Sequence, residues 1–335
     1  MNIGNTGRWV EMHPLLWIID DEWTNYNIEN SIFKKYLKTY DIRYSTYKTF
    51  REDAEVFAPL ADAVLSQINI PVDRDLIGKL KRCRIISNYG TGYNNVDLKA
   101  AGENNIAVGY IPGYCDEDIA DYIISAVCSI KKPVMGFKAK VIDGQWGMPA
   151  LNMRVHRLSA VRFFIIGLGR IGQKVAGKAA ALGIKVLAYS PSLTPAKAAE
   201  CGAEYISMAE GLQTADFVSI HMPYTKKTEN FFGTEHFAQM NSNSYLINTA
   251  RGRIVDQAAL LQAVRTKQIK GAFLDVLANE PPAADEDILK YDDIHITPHI
   301  SYYSEEALEE LQRRAAVNAV KVLLHQDGAD LVIDK

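Results

Sequence analysis

The chain has 335 residues, 48% of them apolar and 23% charged, with a formal net charge of −3. That length exceeds what one hydrophobic core organises and predicts two domains. The mild acidity and the absence of any Lys/Arg run argue against nucleic acid and anionic membranes as partners, and no apolar run reaches the ~18 to 20 residues of a membrane span.

Over the first hundred residues short apolar runs alternate with amphipathic stretches, the pattern of βα units that feed a parallel sheet. Residues 15–19, 63–65 and 84–86 read as strands, and 73–81 as a helix. Residues 119–130 form a nearly continuous apolar helix, preceded by Asp116, Glu117 and Asp118, whose charges suit a helix N-terminus. A helix so apolar is expected to be buried between domains or subunits. Residues 136–156 have weak periodicity, several glycines and Trp146, and read as an excursion lying on a partner surface. A second, more regular βα series follows, with strands at 161–166, 186–188, 217–220, 244–248 and 271–274. Cys83, Cys115, Cys128 and Cys201 are scattered without a C-x-x-C pair, so reduced thiols are expected, and neither a disulfide framework nor a metal site. The N-terminus carries no basic segment followed by an apolar signal core, which makes the cytoplasm the expected location.

The strand at 162–166 runs directly into Gly167-Leu168-Gly169-Arg170-Ile171-Gly172 and then into a helical stretch ending near Leu182 and Gly183. This is G-x-G-x-x-G in the strand–turn–helix setting that dinucleotide binding requires. The glycines allow a tight turn and close approach of a pyrophosphate, and the helix start supplies N–H donors. The second strand of such a unit normally ends in an acid that accepts hydrogen bonds from the adenosine ribose. Here Ser190 occupies that position, and the next cation downstream is Lys197. NAD is favoured slightly and NADP stays open.

Three later segments carry candidate chemistry, each just after an apolar run: Thr249-Ala250-Arg251, then Asp275 with Glu280 five residues on, and Pro298-His299. Reduction of a 2-oxo acid calls for a cation that holds the carboxylate and polarises the carbonyl, a proton donor, and a group that tunes the donor. The planar fork of Arg251 suits the first role. His299, of a residue type that titrates near neutrality, suits the second. Glu280 suits the third, because a carboxylate beside an imidazole stabilises its charged form and fixes its tautomer.

Taken in order, the glycine turn, Ala250-Arg251-Gly252, Leu274-Asp275-Val276 with Glu280, and Pro298-His299 resemble the D-2-hydroxyacid dehydrogenase family over nearly the whole chain. The resemblance implies two Rossmann-like, doubly wound parallel-sheet α/β domains. The substrate domain is discontinuous, residues 1–112 and 300–335, and residues 113–299 form the cofactor domain. It implies Arg251, Glu280 and His299 as the catalytic set. Gly167, Gly169, Arg170, Ile171, Gly172, Ser190, His221, Pro223, Thr228, Thr249, Ala250 and Asp275 would contact the dinucleotide, Asp275 holding the nicotinamide carboxamide. Tyr89, Gly90, Thr91 and Gly92, in a loop whose N–H groups receive the substrate carboxylate, would bind substrate together with Arg251 and Tyr302. It also implies a homodimer. Phe164, Ser190 and Asn94 depart from the family pattern.

The functional expectation is hydride transfer between a nicotinamide cofactor and a small 2-oxo acid or its D-2-hydroxy acid. The alternative from another class is a dinucleotide-sensing binding protein of corepressor type. Arg74, Lys79, Lys81, Arg82 and Arg84 read as a solvated helix face rather than a phosphate site. With Tyr89 and Tyr302 near the expected site, an unphosphorylated acid is favoured, its identity open.

Overall fold

The computed structural model describes residues 13–135, 137–150 and 155–333. The chain divides into two compact units, one running to Tyr114 and resuming at Ser304, the other spanning Cys115–Tyr303.

The first unit opens with β1 (Leu15–Ile19), β2 (Asp41–Ser45), β3 (Ala63–Gln67), β4 (Ile85–Tyr89) and β5 (Ala107–Gly109). Every residue of β3 and β4 is buried, as expected of parallel strands covered on both faces. The helix at Arg74–Lys79 begins on Asp73, whose carboxylate caps the Leu76 N–H at 3.0 Å.

The second unit contains β6 (Arg162–Ile166), β7 (Lys185–Tyr189), β8 (Glu204–Tyr205), β9 (Phe217–Ile220), β10 (Tyr245–Asn248), β11 (Gly271–Leu274) and β12 (Ile294–Ile296). Their order in the sheet is β12-β11-β10-β9-β6-β7-β8, all parallel, so the direction of winding reverses between β6 and β9. The helix Glu305–Leu323 and β13 (Leu331–Ile333) return the chain to the first unit, where β13 adds antiparallel to β5. The first sheet then reads β13-β5-β4-β3-β1-β2, with its reversal between β1 and β3. Both units are thus doubly wound.

The apolar helix, Asp116–Lys131, packs on the helix Arg170–Ala181 within its own unit and buries Ile119, Ala120, Ile123 and Val127, while Asp121, Ser125 and Ser129 are exposed on this chain. The strands β2 and β8 went unread because they are edges. Asp41, Arg43 and Tyr44 of β2 and both residues of β8 are exposed, so neither carries an apolar run.

Of the expected excursion, residues 136 and 151–154 lie outside the described residues. The described part holds a short helix, Phe137–Ile142, and leaves Met135, Ile142, Trp146 and Met148 exposed.

Phe164, one of the departures from the family pattern, is wholly buried in the core of the second unit. Its ring lies over Gly211, where a Cβ would stand 2.5 Å from the ring atoms. Gly211→Ala is expected to cost about 1–3 kcal/mol by overpacking, read from the urea midpoint. Phe164→Leu should recover part of that loss; equal losses in both backgrounds would show that the two positions are independent.

Candidate active site

The glycine turn leaves β6 at the point where strand order reverses, the place where open α/β sheets bind ligands. Gly167 has φ +99°, and a Cβ on it would lie 2.7 Å from the His221 carbonyl oxygen. A Cβ on Gly172 would lie 2.3 Å from the Gly167 oxygen, so the turn closes only on glycine. Gly169, the N-cap of the helix Arg170–Ala181, offers no capping side chain, and the position of its missing Cβ is open space. Uncapped N–H groups beside a gap that a side chain would fill suit a pyrophosphate.

The other residues predicted for the cofactor lie around this turn. Ser190 directly follows β7, and the Tyr189 oxygen accepts the Gly167 N–H at 2.8 Å. Ile171 is half-buried in the first turn of the helix. The guanidinium of Arg170 is held by the buried Asp116 carboxylate, at 3.0 and 3.2 Å, which ties it to the neighbouring helix. His221 follows β9, its Nε2 2.8 Å from Ser219 Oγ. Burial lowers its pKa to about 4, so it is neutral near pH 7. The Pro223–Thr228 turn is closed by Thr228 Oγ1, which donates to Pro223 O at 2.8 Å and accepts from Thr225 N at 2.7 Å.

At the end of β10, a residue to which the motif gives no role shapes the arginine turn. The buried Asn248 side chain accepts from Ala250 N and donates to Arg251 O, both at 3.0 Å, and so folds Thr249–Arg251 into a fixed turn. Arg251 Nη1 donates to Ala250 O at 2.6 Å. Gly252 brings this turn against the segment leading to Glu280, because a Cβ there would fall 1.9 Å from the Leu277 carbonyl. No other residue type permits that approach.

Glu280 and His299 are in contact. Glu280 Oε2 lies 2.7 Å from His299 Nδ1, and its Oε1 accepts the Leu277 N–H at 2.8 Å. An ionised carboxylate in this position requires a proton on Nδ1 and leaves Nε2 for reacting atoms. His299 has φ +55°, a left-handed conformation that a side chain rarely adopts.

That conformation is fixed from below by Asp275, 1% exposed. Its Oδ1 accepts from Thr297 Oγ1 at 2.7 Å and Ile300 N at 2.8 Å, and its Oδ2 from Ser301 N at 2.9 Å. Tyr122, from the helix Asp116–Lys131, donates in turn to Thr297 Oγ1. Asp275 therefore grips both sides of His299, a task its place in the sequence did not announce. Tyr302 is half-buried a few residues on.

In the first unit the loop after β4 is held by the buried Asn88 and the half-buried Asn95, with Nδ2 of Asn88 2.8 Å from Asn95 Oδ1 and 3.2 Å from Gly92 O. The carbonyl of Gly90 accepts from Ile111 N at 2.8 Å, and Thr91 Oγ1 donates to Ile111 O at 2.9 Å. The N–H groups of Thr91 and Gly92 have no acceptor among the described residues. Tyr89 corrects the sequence reading: 1% exposed, it turns into the core and donates to Glu29 Oε1 at 2.9 Å, so its ring lines no substrate pocket. No cluster able to hold a metal ion occurs among the described residues.

Burial alone would raise the Glu280 carboxyl. The His299 hydrogen bond and charge, the Leu277 N–H and the charge of Arg251 outweigh it, and the pKa lies below its ordinary 4.5. A depressed carboxyl contributes stability that is fully present above its unfolded value and lost as pH falls through the folded one. Glu280→Gln is therefore expected to lower thermal stability most above pH 4.5, with the gap to the parent narrowing as pH falls below it. A gap independent of pH would contradict the pairing.

A profile of the family described as D-isomer specific 2-hydroxyacid dehydrogenase, NAD binding domain, matches residues 124–301. The glyoxylate reductase of Thermococcus litoralis is 33% identical over 264 residues, 77% of this chain and 80% of that protein. The crystal structure of a D-lactate dehydrogenase from Aquifex aeolicus, complexed with NAD and lactic acid, matches with a TM-score of 0.81 and 26% identity over 96% of this chain and 99% of that one. A Thermus thermophilus protein gives 0.82 and 26% over 95% of this chain and all of that one. With its glycine turn, its Arg251 turn and its Glu280–His299 pair in family order, the chain belongs to the D-isomer specific 2-hydroxyacid dehydrogenases.

Proposed function

We propose that this NAD-dependent oxidoreductase reduces a small, unphosphorylated 2-oxo acid to its D-2-hydroxy acid, with Arg251, Glu280 and His299 as its catalytic set. The Glu280–His299 contact, built beside an arginine turn that only Gly252 allows, carries the reading. NADH, when bound, supplies the hydride. Arg251 pairs with the substrate carboxylate and polarises the carbonyl, and the developing alkoxide takes a proton from His299 Nε2. Glu280 keeps Nδ1 protonated and the ring in place. The N–H groups of Thr91 and Gly92, without internal acceptors, receive the carboxylate, and Tyr302 borders the substrate. The glycine turn, Ile171, Ser190, His221, Pro223, Thr228, Thr249 and Ala250 hold the dinucleotide, Arg170 through its main chain. Asp275 has three bonds made and one lone-pair direction left for the carboxamide.

The unphosphorylated substrate is supported by how the basic residues near the loop are used. Arg74 pairs with Glu103, Lys79 with Asp75 and Glu55, and Arg82 with Asp62, while Arg84 donates to Leu323 O. A cytoplasmic homodimer completes the proposal. Exposed Met135, Ile142, Trp146 and Met148 support the dimer, and four free cysteines support a reducing compartment. Relatives named as reductases and dehydrogenases favour the enzyme over a corepressor-type sensor.

The test is oxidation of NADH, followed at 340 nm, with a panel of 2-oxo acids. His299→Ala should cost about 10²–10⁴-fold in turnover with NADH affinity retained. Unchanged turnover would remove His299 from the mechanism, and tight cofactor binding without oxidation of NADH by any acid would restore the sensor. Ser190→Asp should raise the preference for NADH over NADPH by about ten-fold or more, because a carboxylate binds the ribose hydroxyls and repels a 2′-phosphate; an unaltered preference would place cofactor choice elsewhere.

A further inference from the structure

The first sheet reverses its strand order between β1 and β3, and the chain leaves those strands through Asp20 and Gln67. In the second sheet the corresponding point is left open by glycine; here the protein's own polar groups fill it. Asp20 Oδ1 accepts from Glu22 N at 3.0 Å and Gln67 Nε2 at 2.8 Å, and Oδ2 from Trp23 N at 3.0 Å and Tyr26 Oη at 2.8 Å. The strand beyond, β4, ends on Tyr89, whose hydroxyl donates to Glu29 Oε1 at 2.9 Å. Glu29 sits in the helix Asn27–Tyr36 and is wholly buried. Its Oε2 and the nearby Trp23 Nε1 are buried without a hydrogen-bond partner among the described residues, and the Trp23 ring meets Tyr89 edge-on at 5.6 Å.

A buried carboxyl with one oxygen unpaired is costly, and an apolar pair of similar size would fill the same space without that cost. The Tyr89–Glu29 bond therefore has a use besides packing. Its place shows what that use is. Asn88 and Tyr89 are the last residues of β4 and point to opposite faces of the sheet. Asn88 grips the following loop through Asn95 and Gly92 O, and Tyr89 grips the helix Asn27–Tyr36. The loop 90–92 emerges from a strand end fixed on both faces, its Gly90 and Gly92 carbonyls occupied and its Thr91 and Gly92 N–H groups without acceptors among the described residues.

We propose that Glu29, acting through Tyr89, is a positioning residue for substrate binding: it sets the direction in which the Thr91 and Gly92 N–H groups meet the substrate carboxylate. This rests on the reading of that loop as the carboxylate site. Burial raises the Glu29 carboxyl and the Asp20 charge adds to the effect, against its own main-chain N–H and the Tyr89 hydroxyl; a glutamine keeps the acceptor oxygen for that hydroxyl.

The experiment compares four variants of the full chain by steady-state kinetics with the best 2-oxo acid and by NADH fluorescence titration. Tyr89→Phe deletes one oxygen and Glu29→Ala deletes its acceptor. Both are expected to raise KM for the acid about 5- to 20-fold with kcat within about two-fold and NADH affinity unchanged. Glu29→Gln, which still accepts from the Tyr89 hydroxyl, is expected to restore the parental KM. Thr91→Pro removes one of the N–H groups and tests the loop itself. If Thr91→Pro raises KM while Tyr89→Phe and Glu29→Ala do not, the loop binds the carboxylate but Glu29 does not position it. If none of the variants alters KM, the carboxylate is bound elsewhere and both readings fall. A matched loss of kcat, KM and NADH affinity, or a Glu29→Gln no better than Glu29→Ala, would likewise overturn the positioning role.

Discussion

The arrangement of the second unit hangs on the side chain of Asp275. Buried at the end of β11, it accepts three hydrogen bonds from Thr297, Ile300 and Ser301, the residues on either side of His299. A non-glycine residue at φ +55° is disfavoured and persists only where its neighbours over-determine it. Asp275 does so, and the result is an imidazole whose Nδ1 meets Glu280 at 2.7 Å. Through Thr297 and Tyr122 the same anchor reaches the helix Asp116–Lys131, which packs on the helix that begins at the glycine turn. The candidate acid and the dinucleotide turn are thus linked through Thr297, Tyr122 and the two packed helices.

The two units apply the same winding to opposite ends. In each, reversal of strand order creates a gap beyond the strand ends, because the flanking helices lie on opposite faces of the sheet. The second unit keeps its gap by omitting side chains: Gly167 and Gly172 have no room for a Cβ, and Gly169 faces open space. The first unit closes its gap with Asp20, Gln67 and Tyr26, which satisfy one another. The main-chain donors without acceptors among the described residues lie one strand outward, in the loop after β4, where the proposal places the substrate carboxylate.

How far the sequence could be read follows from where each residue lies. Strands buried on both faces carry apolar runs, so β1, β3, β6, β9 and β11 were legible; β2 and β8 lie at sheet edges with exposed side chains and were not. The glycine turn was legible because steric exclusion fixes its spacing. Arg251, Glu280 and His299 stand out as candidates only as an ordered set, since each alone is an ordinary residue. Tyr89 was misread for a definite reason: a strand buried on both faces has no polar alternation, and nothing in Ile85–Tyr89 indicates which face the tyrosine takes. Asn248 and Asn88 open the two motif segments, but the motifs give neither them nor Asn95 a role, because they act on the main chain of their own turns, a task written in hydrogen bonds and not in spacing.

The electrostatics of the pair add a constraint on how the proposed acid would work. Glu280 is held ionised by the Leu277 N–H, by His299 and by the charge of Arg251, against a burial that favours the neutral form. Arg251 and the Leu277 N–H do not titrate near neutrality, so part of this hold persists whichever charge the imidazole bears. A carboxylate that stays ionised keeps the proton on Nδ1 in both states of the histidine. In the proposed reaction the exchangeable proton is then confined to Nε2, and the ring need not turn between giving a proton to substrate and regaining one. The cost of holding His299 in a disfavoured backbone conformation is offset by that economy of motion: a ring fixed by Glu280 on one side and by the Asp275 anchor beneath it has one orientation in which to act.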